Sequence, residues 1–261
     1  MTEELNVQKK KFSGRWSGLK NLVRSELQRW FGTRRWLKQA LLWILLIDGL
    51  IGGVGIASRV VPELGASAAD ARQILGLIAV FGSLGTVILL QTVITAEKEN
   101  GVASWILSKP VSRTSYVLAK VIGNAAGVLV SVVIIPGLIV YPIISTLFVN
   151  RWLPVGNFLL ALGMLALEIL FYLTLTVMLG TFFQKPAPVM ALPLILIFGQ
   201  QPLIGLWPGL IHVLPYTVST ASAGAIMLGE KIPFPVPLAT TAGFSILFVV
   251  LAGVRFNREE F

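Results

Sequence analysis

The chain has 261 residues, of which 55% are hydrophobic and 13% charged, with a mean hydropathy of +0.82. A soluble domain carries about 25% charged residues, so this composition excludes intrinsic disorder and an ordinary soluble enzyme, and it points to lipid as the solvent. Twenty-one Lys and Arg against 12 Asp and Glu leave a net charge of +9; nucleic acid and a membrane surface both attract such a surplus, and its position along the chain decides between them.

Residues 1–36 form a basic N-terminal segment. Within it, Leu19, Leu22, Val23, Leu27, Trp30 and Phe31 recur at helical spacing, with Lys20, Arg24, Gln28 and Arg29 on the other face. The spacing predicts an amphipathic helix over 19–35 lying in the membrane interface, or packed on a soluble partner. Glu26 is the one misfit on its apolar side. Gly32 and Thr33 allow a bend into a first apolar run.

A bilayer core about 30 Å thick needs about 20 helical apolar residues. Six runs meet or approach this: Ala40–Ala57, Ile74–Ala96, Tyr116–Phe148, Phe158–Phe183, Val189–Trp207 and Pro237–Val254. The first run and the stretch before it are both too long for a secretory signal, so it reads as a retained span. The third is too long for one straight crossing and contains Pro136 and Pro142, which predicts a kink and an extension beyond the bilayer. The fifth carries Pro193 and Pro202 and is expected to be irregular. None of the six shows the period-two alternation of barrel strands, so the predicted fold is an all-α integral membrane protein with six transmembrane helices over 37–254 and a tail over 255–261.

Seventeen of the 21 basic residues fall in residues 1–39, in the second connection and the first turns of the run after it, in the fourth connection and in the tail. Six spans put both termini on one side, and this bias makes that side cytoplasmic. The charge excess is thereby a topology and headgroup signal, and no separate basic domain remains to carry a nucleic-acid function.

Two acids fall near mid-span, Asp48 in the first run and Glu168 in the fourth. Burying an ionised acid there costs about 2.5–3.5 kcal/mol on insertion scales. Each is either part of a transport path or a protonated acid bonded to a neighbouring helix. The small-residue patterns 49–53 and 123–127 allow close helix approach, within one chain or across a dimer seam. Residues 205–236 are rich in Pro and Gly, and 217–228 is small and apolar enough for an external re-entrant or hemi-helical segment.

The connection between the second and third spans is the most informative stretch. Asn100-Gly101 suits a left-handed helix terminus, 102–108 is long enough for about two helical turns with Val102, Trp105 and Ile106 on one side, Lys109-Pro110 stops it, and Ser112 is a reasonable N-cap for the next span. It is either a short docking helix or a plain turn dipping into the headgroups.

The inventory limits the chemistry. There is no cysteine, a single histidine and no Gly-Lys pair, so the chain carries no thiolate metal site, no two-histidine zinc helix and no G-x-x-x-x-G-K-[ST] phosphate loop. No cofactor or metal is expected in it.

Glu97-Lys98-Glu99-Asn100-Gly101 and Leu107-Ser108-Lys109-Pro110-Val111-Ser112-Arg113 resemble the loop of type-2 permeases of ATP-binding-cassette transporters, in which a Glu-(Lys/Arg)-Glu-x-Gly turn follows the second span and a Leu-x-x-Pro-(Val/Ile)-Ser-Arg turn enters the third. Val102 departs from the commoner Thr. The resemblance also covers the plan of surface helix, six spans and long external loop. It implies that this loop is a coupling helix docking on a separate ABC-type ATPase subunit, which holds the ATP and Mg²⁺. It further implies a second permease subunit, identical or not, an inner-membrane location and the exporting branch. Glu97, Lys98, Glu99, Gly101, Trp105, Ile106, Lys109, Pro110 and Arg113 are then the ATPase-coupling residues. Within that set Glu97, Glu99, Lys109 and Arg113 register the helix by charge, and Trp105 and Ile106 are its apolar anchors. The competing readings are a stand-alone secondary transporter or channel driven through Asp48 and Glu168, and a membrane scaffold that moves nothing.

Overall fold

The computed structural model describes residues 16–61 and 66–259; Lys9, Lys10, Lys11 and Arg15 of the basic segment lie outside them. Every regular element among the described residues is helical. Six helices are long and apolar enough to cross a membrane: α2 (Arg35–Val60), α3 (Ala68–Glu99), α5 (Arg113–Phe148), α6 (Val155–Phe182), α7 (Pro186–Leu206) and α9 (Val236–Asn257). Short helices accompany them: α1 (Leu19–Leu27), α4 (Val102–Leu107), α8 (Val218–Met227) and a 3₁₀ turn over Pro208–His212.

The spans run beyond their apolar runs because polar residues cap them. α3 starts at Ala68 since Ser67 and Asp70 form a reciprocal capping box, the Ser67 N–H donating to Asp70 Oδ2 at 2.8 Å. Ser112 caps α5, its hydroxyl oxygen accepting from the Ser115 N–H at 3.0 Å. Gly101 sits at φ 69° between α3 and α4, where a Cβ would be strained.

α5 has 36 residues, about 54 Å of helix against a bilayer core of about 30 Å. Wide π turns over Leu129–Ile134 and Ile144–Phe148 interrupt its α-helical pattern, the first ending just before Pro136 and the second starting just after Pro142. A proline has no N–H to return, and the carbonyl that Pro136 frees, that of Val132, lies within the first wide turn. α7 differs from the expectation of irregularity. It runs unbroken from Pro186 to Leu206 through Pro193 and Pro202, as interior prolines can in lipid-exposed helices whose freed carbonyls find other partners.

Between lipid-solvated helices there is no hydrophobic drive to associate, so close packing at small residues holds the bundle. A Cβ added to Gly85 would lie 1.9 Å from the Trp43 ring, and one added to Gly82 would lie 2.9 Å from Ile169. α6 is the central helix, with Leu165, Ile169 and Leu173 fully buried. α7 and α9 are the most peripheral of the six spans. Successive spans alternate in direction, so α1, α4 and the C-terminal end of α9 gather at one end of the bundle. α8, the start of α3 and the end of α5 lie at the other.

Candidate functional site

The short helix α4 has two unlike faces. Outward it exposes Val102, Ser104 and Trp105, with Glu99, Asn100 and Gly101 before it and Ser108, Lys109 and Pro110 after it. Trp105 is 62% exposed, and the Lys109 ammonium lies 3.5 Å from its ring centroid. Inward it turns Ala103, which is fully buried, and Ile106 and Leu107, which pack on the core. Ile106 therefore does not share a face with Trp105: neighbours in sequence sit about 100° apart on a helix.

Behind α4 lies a buried ion cluster. Glu97, at the end of α3, accepts from Lys120 Nζ at 2.5 Å, from the Tyr116 hydroxyl at 2.6 Å and from Arg29 at 3.1 Å. Lys120 is 2% exposed and also donates to Glu26 at 2.6 Å. Arg29 lies 3.6 Å from the other oxygen of Glu26. Two acids and two bases thus meet with no net charge, as buried ions must. Burial works against the Arg29 guanidinium, and the attraction of Glu26 and Glu97 more than offsets it, so the group titrates above the ordinary arginine value. A narrow cleft of about 70 Å³ between α1 and α4, walled by Leu22, Ser25, Val102 and Ile106, reaches the cluster, with Glu26, Arg29, Glu97 and Lys120 also in its lining.

Glu26, out of place on the apolar side of α1, is in its place here, because that side packs on α5. The small-residue pattern 123–127 receives it. A Cβ on Gly123 would sit 2.3 Å from the Glu26 Cβ, and one on Gly127 would sit 2.0 Å from the Trp30 ring. Trp30 is fully buried and donates its indole N–H to Asn124 Oδ1 at 3.0 Å. These glycines are filled by this chain's own α1.

The chain on either side of α4 is tied to the last span. Lys98 donates to the Thr181 carbonyl at 2.9 Å and pairs with Glu259 at 2.8 Å, and Gln184 holds the second Glu259 oxygen at 2.9 Å. Arg113 donates to the carbonyls of Asn257, at 3.0 Å, and Glu259. The Tyr116 ring stacks on Phe256 with centroids 4.9 Å apart. Where the chain leaves α4, Ser17 donates its hydroxyl to the Pro110 carbonyl at 2.6 Å and its own carbonyl accepts from Ser112 N–H at 3.1 Å.

The nine residues singled out in this loop therefore divide. Glu99, Gly101, Trp105, Lys109 and Pro110 face outward, and Glu97, Lys98, Ile106 and Arg113 face the bundle. Sequence reasoning missed Glu26, Arg29, Tyr116, Lys120 and Glu259 as members of the site. A signal existed for two of them: an acid on an apolar helix face and a lysine inside a span are complementary misfits.

The two mid-span acids are distant from this cluster in sequence and differ from each other. Glu168, 1% exposed, is buried beside α8, and its Oε2 has no hydrogen-bond partner among the described residues. One turn on, the Tyr172 hydroxyl accepts from Gln200, whose amide oxygen takes the Tyr216 N–H. Asp48 is buried with both carboxylate oxygens unpartnered among the described residues. No group of His, Cys, Asp and Glu among the described residues could hold a metal ion.

Residues 6–261 match the family model described as ABC-2 family transporter protein. Among curated proteins none matches the sequence.

Proposed function

Because the chain belongs to the ABC-2 transporter family, we propose that it is the permease subunit through which a separate ABC-type ATPase subunit drives export of a substrate. It is a multi-pass membrane protein of a transporter family and not itself catalytic. In this reading ATP and Mg²⁺ are held by the ATPase, a second permease subunit completes the path, and the end of the bundle carrying α1, α4 and both termini faces the cytoplasm. The 17 of 21 basic residues assigned to that side support the orientation.

The observation that carries the reading is the division of α4. A helix of six residues is too short to be stable by itself. Here its rear packs on the core through Ala103, Ile106 and Leu107, and the end of α3 just before it is fixed by ion pairs to Arg29 and Lys120 on one side and to Glu259 after α9 on the other, while an aromatic side chain and flanking charges are left facing outward. An exposed Trp between Glu99 and Lys109 has the make-up of a protein-docking hot spot. Movement of the ATPase would push α4 as a rigid lever, and the buried ties would pass the displacement to three helices at once. Glu97 acts in this scheme from behind, by holding α4 in register, and Glu99 and Lys109 are the charges that meet the ATPase. Asp48, with its unpartnered carboxyl, stays a candidate for the transport path. Glu168, buried where α6 packs on α8, is read as a packing residue.

The test is Trp105→Glu combined with Lys109→Glu in the full chain co-expressed with its ATPase. The expected result is loss of ATPase co-purification with the helical content and thermal stability of the permease unchanged. Full capture and full transport in that variant would overturn the assignment. Charge reversal at Glu97 is a poor test, since it would strand Glu97's replacement beside Lys120 and Arg29 and disturb the fold.

A further inference from the structure

At the end of the bundle opposite α4, a cleft of about 750 Å³ opens among α2, α3, α7 and α8, within the ~300–1,000 Å³ typical of small-molecule sites. Its lining is graded. The outer part carries Asp70, Gln73, Gln201, Tyr216 and Thr220, whereas Leu77 and Val80 on α3 and Leu50 and Ile51 on α2 line the deeper part. From Asp70 to Val80 the helix rises about 15 Å, the reach of a medium-length alkyl chain. Leu50, Val54 and Leu77 are exposed on the flank of the bundle, so the cleft is open sideways.

Asp70 is the only charged side chain lining it among the described residues. Its Oδ2 serves the cap of α3 with Ser67, and Oδ1 makes no hydrogen bond among the described residues. The nearby Arg72 is not in the lining and is paired with Glu230. A negative polar mouth above an apolar trough complements one kind of molecule and repels its anionic counterpart.

We infer that this cleft binds a single-chain amphiphile with an ammonium-type headgroup, the head beside Asp70 and the alkyl chain along Leu77 and Val80. The inference deepens the permease reading by naming the class of molecule moved, and it rests on that reading only for the step of transport.

The probe is a dodecylammonium carrying a diazirine in its chain, with a dodecyl sulfate of the same chain as the anionic arm. Both are applied to the purified full chain in uncharged maltoside micelles, irradiated, and mapped by peptide mass spectrometry. The cationic probe is expected to label Leu50, Leu77 and Val80 saturably, with the sulfate probe labelling them weakly. Asp70→Asn keeps an oxygen for the Ser67 N–H and removes the charge; it should weaken saturable labelling about fivefold, the weight of one partly exposed charge pair. Leu77→Trp fills the trough and should abolish labelling. Equal labelling by the two probes, or labelling unchanged in both variants, overturns the inference. The measurement needs no ATPase, so its failure leaves α4 docking standing, and failure of ATPase capture leaves the labelling result standing.

Discussion

Lys120→Met tests the rear of the site directly. Lys120 reaches both Glu26 and Glu97, at 2.6 and 2.5 Å, and all three side chains are at most one-tenth exposed. Methionine has nearly the length of lysine and leaves no cavity, so the perturbation is electrostatic. It leaves two acids with only Arg29, which is half exposed and lies 3.1 Å from Glu97 and 3.6 Å from Glu26. Breaking a buried pair by removing one partner costs about 3–5 kcal/mol, and the remaining arginine places this case at the lower end, about 3 kcal/mol. Adding Glu26→Gln restores neutrality, since Glu97 and Arg29 then pair alone. The double variant should therefore recover part of the loss in place of adding to it, a coupling of about 1–2 kcal/mol. Thermal and denaturant unfolding of the four proteins of this cycle in identical micelles reads both quantities. A single variant within about 0.5 kcal/mol of the parent chain, or losses that simply add, would refute the claim that these residues form one buried unit.

Gly127→Ala forces a Cβ to within 2.0 Å of the Trp30 ring; the overpacking should cost about 1–3 kcal/mol and expose residues 19–32 to limited proteolysis, whereas unchanged protection would mean that α1 is held elsewhere. Glu168→Gln keeps the shape and polarity of this fully buried side chain and should leave stability and transport near those of the parent chain. A transport-dead, stable Glu168→Gln would instead put this acid in the path. Asp48→Asn is expected to change transport without changing stability, and parent-like transport in it would remove Asp48 from the path.

The plan of six spans was legible because lipid imposes one requirement on every residue of a span, so apolar runs such as Phe158–Phe183 announce themselves one by one. Local punctuation was legible for a similar reason: Gly101, Ser112 and the two prolines of α5 act within a turn or so of their own position. The site was only half legible. The outward residues Glu99, Trp105 and Lys109 lie in one short motif. The inward partners are separated by 68 residues for Arg29 and Glu97, and by 94 for Glu26 and Lys120. Pairings at that distance follow from how α1 lies on α5, which no local pattern encodes. The irregularity expected of α7 failed by the opposite route, because a proline rule framed for water overstated what two prolines do to a peripheral span.

The composition of the ties bears on how a displacement travels. An apolar contact between helices in lipid can slide, since the lipid competes with it on equal terms. An ion pair buried beside other ion pairs cannot slide without leaving a charge bare, so it has one favourable register. Around α4 such contacts come in two groups: Glu26, Arg29, Glu97 and Lys120 on the side of α1 and α5, and Lys98 with Glu259 beside the end of α9. The first group is neutral and complete within the chain, so it holds without any partner bound. A push on Trp105 is then resisted by all of these pairs together, and the energetically easier response is for α1, α5 and the end of α9 to move with α4 as one body.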